Sequence, residues 1–399
     1  MNDHPTRAAN MSKGRPILFT HGFRPFFLAA GIWAAFALAL WITAFASGMT
    51  IPSRFDPLSW HIHEMLFGFA MAAAAGFLLT AIPNWTRRLP VNGNPLAMLA
   101  GLWLLGRIAT LLSGFGPAWI ALVTDLSFPA VLIAVILREI VAGRNWRNLP
   151  VVGPVIVLGG ANLLMHLEAY GTDIVPGLGW RFALGAFVIL ISVIGGRIVP
   201  SFTHNWLAQR GQSRVTAIPS TADHACLLVV AVGTLWWAIQ PSATIVGWLL
   251  LAGAVLHLWR MSRWRGIATT AEPLVVILHV GYGWLVLGLG LLGLSILTPA
   301  IPESAAIHAL TAGAIGTMIL AVMTRATLGH TGRALTANRA TVTLYVMVTL
   351  AAATRVGAVW AGSWMMPALE LSALLWIGTY GGFALVYGPM LLNPRKTKG

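Results

Sequence analysis

Apolar positions in this chain run on rather than alternate. Long stretches almost free of charge fall at residues 26–47, 58–82, 95–112, 117–141, 150–170, 178–202, 223–239, 242–260, 271–297, 303–325, 340–361 and 366–392. A helix needs about 20 apolar residues to cross a bilayer's hydrocarbon core, and these runs are of that order. Strands of a membrane barrel would alternate polar and apolar side chains, which these runs do not. The pattern therefore predicts an all-α polytopic membrane protein of about twelve transmembrane helices. Pro and Gly punctuate most connections, which are too short to hold a second domain. The expected organisation is a cytoplasmic N-terminal segment over 1–25, a single twelve-helix domain over 26–392 and a cytoplasmic tail over 393–399. The first segment is polar and basic (Arg7, Lys13, Arg15, Arg24), and no small-residue cleavage pattern follows it, so it reads as retained rather than removed.

Composition sharpens this picture. Of the 399 residues, 57% are hydrophobic and only 9% charged, against about 25% charged in an average soluble domain. A soluble globular enzyme is excluded. The net charge of +14 would suggest nucleic acid in a soluble chain, but its placement explains it otherwise. With both ends inside, the inner loops hold Arg87, Arg88, Arg138, Arg144, Arg147, Arg210, Arg214, Arg260, Arg263, Arg265, Arg333, Arg339, Arg395, Lys396 and Lys398. The outer loops hold Arg54 and Arg181. This is the asymmetry of the positive-inside rule, and it predicts cytoplasmic termini and no nucleic-acid partner. One cysteine, Cys226, excludes a disulfide framework, a Cys-ligated zinc site and an iron–sulfur cluster.

A repeat is visible within the spans. An offset of 245 carries His63 onto His308, Gly68 onto Gly313, Thr86 onto Thr331, Arg88 onto Arg333 and Asp125 onto Glu370. An offset of 117 carries Pro83-Asn84-Trp85-Thr86 onto Pro200-Ser201-Phe202-Thr203. Three four-helix units would fit both offsets and the parallel direction of spans two, six and ten. Sites in membrane folds tend to lie between such repeats.

The 11 histidines, equal in number to the acids, are the feature to explain. Asp56-Pro57 reads as an N-cap and first helical residue, which places His61 and His63 inside the second helix. Two residues apart is about 200° of rotation, so their rings face opposite sides. Glu64 shares a face with His61 and could orient its ring. His63 and His308 lie at equal depth, roughly 8–9 Å below the outer boundary, with His166 and Glu168 at a comparable level. Two histidines at one depth on facing helices are what a haem iron takes as axial ligands, and His63 with His308 is the expected pair. Arg107 with Asp125, and Arg355 with Glu370, read as structural ion pairs, or else as a site for a carboxylate-bearing cofactor. A second group, His21, His204, His224, His257, His279 and His330, lies towards the cytoplasmic side. Of these, His21, His279 and His330 are expected to converge on a metal or haem, with His204 a further candidate. Arg24, Arg325 and Arg333, with Arg197, could neutralise propionates.

Several of these segments resemble the NnrS family of bacterial haem- and copper-containing membrane proteins. The likeness rests on Gly22-Phe23-Arg24-Pro25-Phe26-Phe27, Trp60-His61-Ile62-His63-Glu64-Met65-Leu66-Phe67-Gly68-Phe69 and Pro83-Asn84-Trp85-Thr86. It continues through Gly195-Gly196-Arg197-Ile198-Val199-Pro200, Leu278-His279-Val280-Gly281-Tyr282 and the run from Met323 to Arg333. What the resemblance implies is a twelve-span protein of the bacterial inner membrane, made during denitrification or nitric oxide stress. Its partners would be the lipid bilayer, nitric oxide or another small gas, and an electron donor; its cofactors would be haem b and copper. The family's motif histidines correspond to His21, His61, His63, His279, His308 and His330. The threefold reading also looks like the haem–copper oxidase and nitric oxide reductase superfamily, although no histidine lies mid-membrane in spans six or seven here. If nitric oxide is reduced, Glu64, Glu168 and Glu303 are candidate proton carriers. A multi-span transporter and a haem or metal assembly factor are the alternatives, and a visible spectrum separates them from a stably haem-bearing protein.

Overall fold

The computed structural model describes residues 16–212 and 220–396; Arg7, Lys13, Arg15, Arg214 and Lys398 lie outside them. Among the described residues there is no strand. Twelve helices are long and apolar enough to cross a membrane. They are α1 (Phe23–Ser47), α2 (Pro57–Thr86), α3 (Asn94–Leu111), α4 (Ala118–Ala142), α5 (Trp146–Ala169) and α6 (Leu178–Ala208). Then follow α7 (Thr221–Ile239), α8 (Thr244–Ser262), α9 (Pro273–Leu297), α10 (Glu303–His330), α11 (Arg339–Trp360) and α12 (Gly362–Leu392). The end of the bundle where α1 starts and α12 finishes is called here the terminal face, and the opposite end the distal face.

Sequential helices pack against one another around the bundle, and α12 lies along α1, so the array closes into a ring. Inside the ring α2, α6 and α10 touch each other. These three have 72, 61 and 67% of their core residues buried, against 33–50% for the other nine. The central trio is thus one helix from each four-helix unit, as the repeat predicts.

Each central helix contains a π segment: Glu64–Ala70 in α2, Ile191–Gly195 in α6 and Ala309–Gly316 in α10. The first and third coincide under the offset of 245, while that of α6 lies closer to the terminal face. A π turn displaces carbonyls from regular pairing, and in a membrane a polar backbone group without a partner costs several kcal/mol. Side chains from neighbouring helices meet the need. Trp103 Nε1 donates to Gly68 O (3.0 Å), Arg260 Nη1 to Ser192 O (2.8 Å) and Tyr380 Oη to Gly316 O (2.8 Å).

Gly68 and Gly313, equivalent in the repeat, are both overlaid by tryptophan. A Cβ at Gly68 would meet Trp33 Nε1 and lie 2.8 Å from Glu64 Oε2; at Gly313 it would lie 2.6 Å from the Trp284 ring. Gly68→Ala and Gly313→Ala are each expected to cost about 1–3 kcal/mol through overpacking, read as a lower melting temperature in detergent. Gly101→Ala, where nothing lies within 4 Å of the added methyl, should leave it unchanged or higher; equal behaviour of all three would contradict the packing.

Candidate functional site

The densest polar cluster lies inside the distal half, between α2, α3, α4 and α5. Asp56 caps α2, its carboxylate accepting from Leu58 N (3.0 Å) and Ser59 N (3.1 Å), with Pro57 at the first helical position. The helix so started places His63 and Glu64 at the opening of its π segment. Glu64 accepts from Arg107 Nη1 on both oxygens (2.8 and 2.9 Å) and from Trp33 Nε1 (2.8 Å). Arg107 Nη2 also donates to Asp125 Oδ1. Asp125 Oδ2 contacts His166 Nε2 (3.0 Å), His63 Nε2 (3.2 Å) and Asn162 Nδ2 (3.0 Å). His63 closes the circuit through Nδ1 to Glu64 Oε1 (3.0 Å), and its Nε2 also meets Asn162 Oδ1 (2.8 Å). The side chains of His63, Glu64, Arg107, Asp125, Asn162 and His166 are all at most 1% exposed. His166 Nδ1 reaches Tyr170 Oη (3.0 Å) in the distal loop, where burial pushes the phenol up to about 12, so it stays a donor at neutral pH.

Arg107 and Asp125 are therefore paired, as expected, within a larger circuit of two acids, one arginine and two imidazoles. The expected Arg355–Glu370 pair does not form. Glu370 is exposed, and Arg355 Nη2 donates to Ser304 Oγ at 3.3 Å. Nor does Glu64 orient His61: Arg107, Trp33 and His63 occupy both its oxygens, because an unpaired carboxylate here would face the full cost of burial.

His61 and His63 do face opposite sides of α2. His61 stacks on Trp41 of α1, ring centroids 4.2 Å apart, and its Nδ1 is buried without a hydrogen-bond partner. His308 and Arg355 both lie within electrostatic reach of His61. His308 Nδ1 is 2.7 Å from Ser304 O. A carbonyl only accepts, so Nδ1 carries the proton and Nε2 presents its lone pair. His63, by contrast, is engaged on the far side of α2 with Asp125, Asn162 and Glu64. Glu168 stands outside the circuit, accepting from Gly177 N at 2.9 Å in the loop before α6.

At the terminal face, His21 and His330 flank the Phe23 ring at 6.0 and 5.3 Å. His279 has other surroundings: its Nε2 lies 2.9 Å from Thr203 Oγ1, and its ring packs on Gly266. His204 follows Thr203 in α6, its Nδ1 buried and unpartnered. Arg24 is spent on the end of α12, donating to Leu391 O (2.7 Å) and Asn393 O (2.9 Å). Arg333 Nη1 lies 3.4 Å from Thr331 O. Arg325 packs on Phe202 at 4.0 Å and, with Arg197 and His330, lines a chamber between the central helices.

Sequence reasoning missed a second buried circuit. Asp223 in α7 pairs with Arg260 Nε (2.9 Å) and with Arg263 in α8. Arg260 Nη1 donates to Tyr282 Oη (3.1 Å), which meets His257 Nδ1 (2.6 Å). Arg260 stands at the edge of an apolar run and was counted with the loop charges; an acid and an arginine at matching ends of adjacent runs were the available signal.

His63, Asp125 and His166 offer ligand atoms that all lie within 4.8 Å of one another, the one such metal-like grouping among the described residues. A comparison with curated proteins finds no match. Residues 17–395, nearly the whole of the chain, match the family described as NnrS protein. With twelve spans around a histidine-bearing core and that match from one end to the other, the chain belongs to the NnrS family.

Proposed function

We propose that this protein is a haem-bearing protein of the bacterial inner membrane that binds nitric oxide within the bilayer and protects against it, by reduction where an electron donor serves it. The Arg-rich loops support a cytoplasmic terminal face and cytoplasmic termini. One observation carries the reading: His61 and His308, on two central helices, lie within electrostatic reach of each other, His308 Nε2 freed by its Nδ1–H bond to Ser304 O and His61 Nδ1 buried with no partner. Two imidazoles so prepared, with the Arg355 cation beside them, fit a haem b and a propionate. Haem held there would supply a one-electron couple and an iron able to bind nitric oxide.

The chain's own residues supply the rest. Reduction of two nitric oxide molecules to nitrous oxide and water consumes two electrons and two protons. Tyr170, His166, Asp125, His63 and Glu64 form an unbroken hydrogen-bonded series from the distal loop into the membrane. Every member can take up and release a proton, and Glu64 is its inner end. Copper, which the family implies, fits this series poorly. Both nitrogens of His63 and of His166 already have partners, and Arg107 sits on Asp125.

The test is the visible spectrum of the detergent-purified protein. Wild type should show a Soret band. His61→Ala and His308→Ala should each lose most of the haem while eluting as folded protein, and His63→Ala should keep haem but melt lower. A full haem complement with an unchanged Soret band in both His61→Ala and His308→Ala would sink the assignment, and a colourless wild type would favour a transporter.

A further inference from the structure

Over the terminal half of the bundle the three central helices do not close on one another. A shaft of about 90 Å³ runs between them, lined only by apolar residues and glycine, among them Ala70, Ala73 and Ala74 of α2, Ile191 and Gly195 of α6 and Met318 of α10. Below it, towards the terminal face, opens a chamber of about 540 Å³. The two share Phe27, Phe77, Ile194, Ile198 and Val322, so they adjoin. The chamber alone is of small-molecule size, within the range of about 300–1,000 Å³.

Its charge is one-sided. Arg197 and Arg325 line the chamber, and no aspartate or glutamate does. Arg197 Nη1 has the Asn148 amide oxygen at 3.2 Å, and Arg325 has the face of Phe202. Neither has a carboxylate within ion-pair distance. Glu272, the acid that Arg325 feels, is itself committed to Leu274 N at 3.2 Å. Two half-buried cations without a counter-charge are costly in a low-dielectric setting. Elsewhere in this protein the buried arginines are each satisfied, Arg107 and Arg260 by acids and Arg24 and Arg181 by two or more backbone carbonyls. An anion completes the site, and the apolar shaft above it calls for a hydrocarbon on the same molecule.

We propose that this space binds a single-chain anionic amphiphile, its acyl chain rising into the shaft and its carboxylate or phosphate head resting on Arg197 and Arg325. Nothing in the assignment of His61 and His308 enters the argument, and the two stand or fall separately.

Dodecanoate, dodecanol and inorganic phosphate, each titrated against the purified full-length protein with melting temperature as readout, test it. Dodecanoate should stabilise saturably, dodecanol on the order of tenfold more weakly, and phosphate alone not at all, since a charge-assisted contact is lost with the head and the apolar contact with the chain. Arg197→Gln and Arg325→Gln should each weaken dodecanoate on the order of tenfold and leave dodecanol unaltered. Ala74→Phe, which fills the shaft, should abolish both; it carries the test should an arginine variant fail to accumulate. Haem content should stay at the wild-type level throughout. Equal affinity for dodecanoate and dodecanol, undiminished binding by Ala74→Phe, or a response to phosphate alone would overturn the proposal. So would loss of haem from the arginine variants, which would make the chamber a haem pocket.

Discussion

Arg107→Leu should be among the most damaging single substitutions in this protein, costing about 3–5 kcal/mol as expected for a broken buried ion network. Its guanidinium bonds both Glu64 and Asp125, and all three side chains are at most 1% exposed. Without it two buried carboxylates are left with only the imidazoles to answer them. Asp125→Leu should do comparable harm for the converse reason, leaving part of a guanidinium and two imidazole nitrogens without their acceptor. The double variant removes a positive and a negative charge together, so it should melt above either single variant. Thermal unfolding and membrane yield of the three proteins measure this. Losses that simply add in the double variant would show that the residues act independently.

The second large effect is expected at Asp223. Its carboxylate answers Arg260, which is 2% exposed, and also closes a capping box with Ser220 at the start of α7. Asp223→Ala therefore removes two things at once: the counter-charge of a buried arginine, worth about 3–5 kcal/mol, and a helix cap worth about 1 kcal/mol. Asp223→Asn retains hydrogen-bonding capacity at the cap but not the charge, so its loss should be smaller. Adding Arg260→Met to Asp223→Ala should recover only part of the stability, because Arg260 also satisfies Ser192 O in the π segment of α6. Full recovery would mean that this carbonyl has no need of the arginine.

How far each feature could be read from the chain follows from what sets it. The spans were legible because crossing a bilayer is a matter of length and apolarity, which one chain segment decides alone. Arg107 and Asp125 were legible because opposite charges at one depth in neighbouring apolar runs have few other ways to be satisfied. The same logic failed for Arg355 and Glu370, because depth says nothing about azimuth: Glu370 turns to the exposed side of α12. Azimuth also explains the histidines. Residue counting put His63 and His308 at one level, but His63 turns to Asp125, Asn162 and Glu64, and it is His61, on the opposite face of the same helix, that lies within electrostatic reach of His308. The π segments left no local signal, since the partners that make them tolerable, Trp103, Arg260 and Tyr380, come from other helices.

Those extra-wide turns have a consequence for the whole architecture. Each α-helical residue advances the helix by about 100°, so a single inserted residue re-phases everything on one side of it relative to the other. In α2 the segment Glu64–Ala70 separates the turn bearing His61 and His63 from the wall formed by Ala73, Ala74 and Phe77. In α10 the segment Ala309–Gly316 separates His308 from Met318 and Arg325 in the same way. Each helix is therefore two registers joined end to end, one aimed at the imidazole chemistry and the other at the apolar shaft. Deleting one residue at the joint would leave the helix continuous and both surfaces chemically intact, yet point them in the wrong directions.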